Sequence, residues 1–454
     1  MSSGEVVVRS RRVVTPAGIV PATVVLRDGL IVAVEPFDSA RAVTADLGEV
    51  ALLPGAVDTH VHVDEPGRTE WEGFSSATRA AAAGGVTTLV DMPLNSIPAT
   101  NDAAALRAKV RAMSGQLAVD VGLWGGVVPG NAHELAALAE AGVLGFKCFL
   151  SPSGVEEFAH VGERDLALAM PLLARLGLPL LAHAEDPALL LALPSSTRRH
   201  ADWLASRPAA AEAAAIALLA RLSAATGARV HVVHVASRAA LDALAAAPAA
   251  ARLTAETCPH YLSFAAELIA DGATMFKCAP PIRGAAERDA LAAALLSGEL
   301  ALVASDHSPA PPATKDLEGG DFARSWGGIA SLELSLSATW TALAPRGATL
   351  AQLARWMSAA PAELAGLHER KGAIEPGRDA DLVAFDPDAE WSVDAARLHH
   401  RHAVTPYEGR ALRGRVLRTW LRGAEVFAEG RVTDEAPGRW LRPGTAVDPA
   451  RAFA

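Results

Sequence analysis

From Pro54 onward the chain repeats one unit eight times: a short apolar strand followed by an alanine- and leucine-rich segment of helical period. The strands read at residues 57–63, 87–93, 119–127, 145–150, 178–185, 229–236, 253–260 and 300–307. Helical segments between them include 75–83, 103–113, 132–141, 208–226 and 239–246. Such alternation calls for a parallel sheet, because each helix carries the chain back to where the next strand begins. Eight units match a (β/α)8 TIM barrel better than an open doubly wound sheet. No Gly-x-Gly-x-x-Gly follows any strand, so the usual mark of a dinucleotide fold is missing.

The two ends have another texture. Residues 5–53 read as short strands broken by turns (VVVRSRRVVT, TVVLRDG, LIVAVEP), with no helical period. After a helical tail at 349–367, strands return as DLVAFDP, GRVLRTWLRG and AEVFAEGRV. Neither end is long enough to build a sizeable core alone. The expected organisation is therefore α/β, with the barrel at 54–375 and one small β-sandwich domain made jointly by 1–53 and 376–454, the latter including a C-terminal tail. At 454 residues the chain exceeds the ~250–300 at which a single core stops growing.

Composition narrows the partners. A formal net charge of −10 disfavours a general nucleic-acid binder. No uninterrupted apolar stretch opens the chain, and the alanine-rich run at 209–220 is short of the ~20 residues a bilayer span needs. Cys148, Cys258 and Cys278 make no disulfide framework and suit a reducing cytosol. The expectation is a cytoplasmic protein bound to neither membrane nor nucleic acid.

The chemistry-bearing residues fall at the C-terminal ends of the predicted strands, the face where such barrels place their active sites. The first strand, VDTHVHV, carries His60 and His62, which alternation puts on one side. The fourth gives Lys147, the fifth His183, the sixth His234 and the eighth Asp306. His231 and His234 differ by an odd number, so on a regular strand only one points inward; His234 lies nearer the functional end, which leaves His231 a structural role. Lys147 is one of only five lysines among 41 basic residues, and it lies in an apolar strand. Burial lowers the pKa of an amine toward its neutral, nucleophilic form. Such an amine captures carbon dioxide as a carbamate, whose two oxygens bridge two metals. Four histidines, that carbamate and Asp306 complete a two-metal site. Zinc is the expected metal, with cobalt, manganese and iron as alternatives.

The phrases PGAVDTHVHVDEPGRTEWEGF, AAAGGVTTLVDMPLNSIPAT, VLGFKCFLSPSG, HVVHVASR, ETCPHYL, FKCAPPIR, ASDHSPAPP, SWGGIASLE and GAIEPGRDADLVAFDP resemble the amidohydrolase superfamily, in its cyclic-amidase branch of dihydropyrimidinases, hydantoinases, dihydroorotases and allantoinases. The resemblance implies that His60 and His62 hold the more buried metal, and His183 and His234 the more exposed one. Lys147 would be the N6-carboxylated bridge, and Asp306 the last ligand and the catalytic proton shuttle. Hydrolysis of a cyclic amide in a small molecule, and a homo-oligomer (tetramer or dimer), are implied likewise.

Departures from the pattern choose within the branch. Dihydroorotases carry arginine two positions past the second histidine to pair with a substrate carboxylate; here that position is Asp64, which would repel an anion. Dihydropyrimidinases and hydantoinases place a tyrosine soon after the carboxylated lysine; KCFLSPSG has none. MPLNSIPAT and EPGRTEWEG resemble the allantoinases, so the implied substrate is neutral allantoin, opened to allantoate. Substituted hydantoins or dihydropyrimidines are the alternative substrates. The remaining reading, a metal-free scaffold of the same fold, conflicts with the full ligand set. By resemblance Cys278, Ala279, Ser308 and Gly327 contact substrate, with Ala279 standing where relatives commonly have serine.

Overall fold

The computed structural model describes residues 5–452. Eight parallel strands form the centre: Ala56–Val61, Val86–Asp91, Asp120–Leu123, Phe146–Phe149, Leu180–His183, Arg229–Val232, Arg252–Thr257 and Leu302–Val303. Between the third and fourth, the two-residue strand Gly125–Gly126 makes the pairing with Phe146 and Lys147. The ring closes where the bridge Val61–His307 joins last strand to first and the His62 N–H donates to the His307 carbonyl at 2.8 Å. The protein is thus a TIM barrel with a small β-sandwich domain.

Short strands suffice here because most are buried on both faces, and nearly every residue from Ala51 to Val63 is solvent-free. Helices such as Ala103–Ala112, Glu163–Leu176, Ala209–Thr226 and Ala285–Ser297 wrap the outside. Ala103–Ala112 starts where the Asp102 side chain accepts from the Ala105 N–H. The stretch His200–Thr226 contains an 18-residue window of mean hydropathy 1.4 and is long and apolar enough to cross a bilayer. It is two helices interrupted at Arg207 and Pro208, and the second buries Ala211, Ala215, Ile216 and Leu219 in the fold.

The chain ends meet in one nine-stranded sheet. Leu382–Ser392 runs antiparallel to Ala51–Pro54, which runs parallel to Val6–Thr15. Val8, Val24 and Leu52 from the front share a core with Leu382, Ala384 and Trp420 from the back. The chain does not end in that layer. Trp440–Arg442 returns to pair with the barrel strand Asp120–Leu123, through Trp440 and Val121. A buried ionic knot fastens the same corner: Lys371 Nζ lies 2.7, 2.9 and 2.7 Å from carboxylate oxygens of Asp120, Asp379 and Asp381. Burial alone would lower the Lys371 amine, but three carboxylates outweigh it and raise its pKa, so the group stays charged.

Two local expectations change. The predicted strand at 119–127 is broken at Trp124, whose backbone N–H turns to the Asp91 carbonyl. The sixth strand ends at Val232, and His234 takes a left-handed backbone with φ of 43°. Strand alternation therefore fails beyond Val232. His231 and His234 both reach the interior, His231 one layer below.

Candidate metal centre

Six side chains from five strands converge at the C-terminal mouth of the barrel. His60 and His62 leave the first strand with ring centroids 5.6 Å apart. His60 and His234 are 5.4 Å apart, and His183 and His234 4.7 Å. Asp306 Oδ1 lies 3.2 Å from His60 Nε2 and 3.5 Å from His62 Nε2. Lys147 is fully buried, and its amine has no hydrogen-bond partner among the described residues. Four non-glycine residues with positive φ surround this point: Asp64 (66°), Asn95 (66°), His234 (43°) and Asp306 (45°). Strained backbone persists where the surrounding fold overdetermines it, and it aims ligands that a regular strand end would not.

Carboxylates behind the ring set which nitrogen faces inward. His60 Nδ1–H donates to Glu256 Oε1 at 2.6 Å, which leaves the Nε2 lone pair toward Asp306. His231 Nε2–H donates to the other Glu256 oxygen at 3.0 Å, and its Nδ1 faces the Thr254 hydroxyl at 2.8 Å. His183 Nε2–H donates to Glu185 at 2.7 Å, so its Nδ1 faces His234 Nε2 at 3.0 Å. Glu185 is in turn held by the Arg207 fork at 3.0 and 3.2 Å through Nε. Burial, reinforced by the neighbouring cationic groups, holds the His60 and His234 pKa values well below the ordinary imidazole range. His183 is lowered as well, mainly by burial. These rings are neutral; the Nε2 lone pair of His60 faces the Asp306 carboxylate, and the Nδ1 lone pair of His183 faces His234 Nε2. Lone pairs at such separations repel unless a cation lies among them, so the donor set fits divalent metal.

Lys147 fits a carbamate on the same grounds. Burial pulls its amine down from 10.5 to about 8, against the opposing pull of Asp306 and Glu256. A large share of the amine is then neutral near pH 8 and able to capture carbon dioxide. Its orphaned nitrogen lies 5.0 Å over the Phe149 ring.

A cavity of about 270 Å³ opens above the ring, with His60, His62, His183, His234 and Asp306 on its floor. Cys278, Ala279, Ser308 and Gly327 all line it. The Cys278 thiol is raised to about 12 by burial, and Sγ lies 3.3 Å from the Pro280 carbonyl, so it has no nucleophilic state near neutral pH. Asp64 departs from the expectation drawn for it: it does not line the cavity and is completely buried. Burial and the nearby Asp91 push its carboxyl well above the usual range, so it presents no anionic charge to a ligand.

Glu185, Glu256, Arg207 and Trp326 carry weight that the motif reading missed. Two of them follow from strand parity. Glu185 lies two residues past His183, on the same face, and Glu256 lies two residues past Thr254, whose hydroxyl also faces His231.

The Amidohydrolase family profile matches residues 51–426. An allantoinase of Streptomyces avermitilis is 52% identical over 97% of this chain and 99% of its own length. An allantoinase of Arabidopsis thaliana is 42% identical, over 95% and 90%. Among solved structures, the L-hydantoinase (dihydropyrimidinase) of Arthrobacter aurescens superposes with a TM-score of 0.90 at 29% identity, covering 96% of this chain and 99% of that one.

Proposed function

The chain belongs to the amidohydrolase family, and on that premise we propose that it is an allantoinase that opens the hydantoin ring of allantoin to allantoate. The observation that carries the reading is the meeting of four imidazoles, one orphaned amine and one carboxylate beneath a single cavity. His60 and His62 would hold one divalent ion, His183 and His234 the other. Carboxylated Lys147 would supply the shared anion, and Asp306 the remaining ligand. Zinc suits the nitrogen- and oxygen-rich set, with cobalt, manganese or iron as alternatives. Two such ions, when bound, would supply an acidified water and polarise the amide carbonyl.

The protein's own groups do the rest. Glu256 and Glu185 fix the tautomers of His60 and His183, so that neither ring reorients during turnover. Asp306, at the cavity floor beside both first-strand histidines, takes the proton of the attacking water and delivers it to the leaving ring nitrogen. The cavity wall of Trp203, Trp326 and Phe149 limits competing water. Three buried, unpaired cysteines support a reducing cytoplasmic setting. Exposed Leu168 and Leu176 on the helix Glu163–Leu176, beside the alanine-rich helix Ala209–Thr226, support a homo-oligomer, dimer or tetramer.

A substrate panel tests the reading. Purified protein, loaded with zinc in bicarbonate buffer, should hydrolyse allantoin faster than hydantoin, dihydrouracil or dihydroorotate. Faster turnover of any of the three would replace the substrate named here.

A further inference from the structure

All five lysines are buried, none more than 6% exposed. Three have an evident reason. Lys147 belongs to the metal centre, Lys371 holds three aspartates, and Lys109 pairs with Asp91. Lys277 and Lys315 have no ion-paired carboxylate among the described residues, and their ammonium groups are spent on backbone carbonyls. Lys277 Nζ donates to the Phe322 and Ser325 carbonyls at 2.5 and 2.6 Å and lies 4.6 Å over the Trp203 ring. Lys315 Nζ donates to the Gly328 carbonyl. Burial lowers both amines, to about 8 for Lys277 and about 7 for Lys315.

Every one of those carbonyls belongs to the segment 308–330, which crosses the top of the cavity. Further ties run the same way. Trp326 N–H donates to the Thr314 carbonyl at 2.7 Å, and Gly328 N–H to the Lys277 carbonyl at 2.8 Å. Gly328 has φ of 120°, and a Cβ there would meet the Ser308 carbonyl at 2.3 Å, so the segment is drawn tight at that residue. Between the clamped Ser325 and Gly328 one stretch of backbone stays free. The Gly327 N–H and the carbonyls of Trp326 and Gly327 have no hydrogen-bond partner among the described residues, and Gly327 lines the cavity. The Trp326 ring caps this stretch, 4.9 Å from Trp71 and against Gly154.

We propose that Lys277 and Lys315 are positioning residues that turn the flanking carbonyls away from the cavity and so hold open the free peptide edge at Trp326 and Gly327, the stretch whose contact with the substrate's amide edge the family resemblance implies. A peptide edge offers one donor beside one acceptor, which matches the N–H and C=O pair of a ureide. Buried amines suit the task because each holds its carbonyls at fixed geometry through N–H donors without adding a carboxylate that would compete for the substrate's donors. The inference rests on the ureide-hydrolysing function above for its ligand, but the clamp itself does not.

Two measurements separate clamp from recognition. In metal-loaded Lys277→Met, and independently in Lys315→Met, amide hydrogen exchange across 322–329 should speed up tenfold or more while the barrel strands keep wild-type rates. The KM for allantoin should rise roughly tenfold, the loss of one or two neutral hydrogen bonds, with kcat within about twofold and metal content unchanged. Lys277→Arg, which keeps the cation and its donors, should recover most of the KM and the slow exchange. Unchanged exchange in both methionine variants overturns the clamp. Faster exchange with unchanged KM, or a fall in kcat alone, overturns the recognition role. Should Lys277→Met fail to fold, Lys315→Met and Lys277→Arg carry the same decision, since a clamp requires the first to loosen 322–329 and the second to leave it slow. Wild-type protein inert toward allantoin would remove the functional reading while the exchange data still decide the clamp.

Discussion

Glu256 gives the sharpest test of how the metal centre is built, because it touches no cavity yet fixes His60. Its two carboxylate oxygens, fully buried, accept from His60 Nδ1 at 2.6 Å and from His231 Nε2 at 3.0 Å. A hydrogen bond to a charged acceptor contributes about 1.5–3 kcal/mol, against about 0.5–1.5 for a neutral pair. Glu256→Gln keeps the volume and one acceptor, so it forfeits about 1 kcal/mol at His60 and should weaken metal binding roughly fivefold. Glu256→Ala also frees the ring to rotate and to change tautomer, and the expected loss is up to ~100-fold, the usual range for a carboxylate behind a metal-bound imidazole. The assay is competition against a chromophoric chelator in metal-buffered solution, with kcat measured at saturating metal. The two variants should be ordered, with Ala worse than Gln. Affinity within twofold of wild type for Glu256→Ala would show that His60 needs no carboxylate to face the metal, and the reasoning would fail.

Asp306→Asn should lower kcat at least ~100-fold at saturating metal, because a general acid–base group is lost together with a ligand; more than a tenth of wild-type turnover would contradict its role. Lys147→Ala should fold but hold metal poorly, and millimolar short-chain carboxylic acids added with fresh metal should restore part of the activity by entering the vacated space. Unchanged metal content in that variant would eliminate the bridging carbamate. For pH, Glu185 is informative in the metal-free protein: burial would raise its carboxyl, but the His183 hydrogen bond and Arg207 outweigh burial and bring it from 4.5 down to about 2. Its stabilisation, on the order of 3 kcal/mol, is complete above the unfolded value near 4.5 and is lost as pH falls through about 2. Arg207→Met should therefore move the acid unfolding midpoint, followed by circular dichroism, to higher pH; an unmoved midpoint would mean the pair contributes nothing.

The barrel was legible because its signal is periodic: eight apolar strands separated by helices leave few other architectures. The metal ligands were legible for a related reason, since each closes a strand and is chemically out of place in its apolar run. Where regularity stopped, so did the reading. The parity rule allowed only one of His231 and His234 to face inward, whereas the chain abandons strand geometry at Val232 and φ of 43° swings His234 over the mouth. Parity applied one step further, from His183 to Glu185 and along the run that ends in Cys258, would have reached both supporting carboxylates. Asp64 was misjudged for want of depth. A sequence places a residue along the chain but not its distance from solvent, and complete burial changes the sign of the electrostatic argument, because a carboxyl held far above its usual pKa repels no anion.

The cavity wall illustrates a harder limit. The free amide edge at Gly327 exists because ammonium groups at positions 277 and 315 reach carbonyls as many as 48 residues away, a relation no local pattern encodes. What the sequence did carry was scarcity. In a chain that uses arginine for its surface charge, all five lysines fill buried places. Reading the rare residue type as a marker of enforced geometry would have pointed to the metal bridge and to the loop clamp alike, since in both the amine is buried, lowered in pKa and lacking an ion-paired carboxylate. The two then differ only in what surrounds the nitrogen: lone-pair donors around Lys147, which fit metal and carbon dioxide, and carbonyl oxygens around Lys277 and Lys315, which fit the protonated amine.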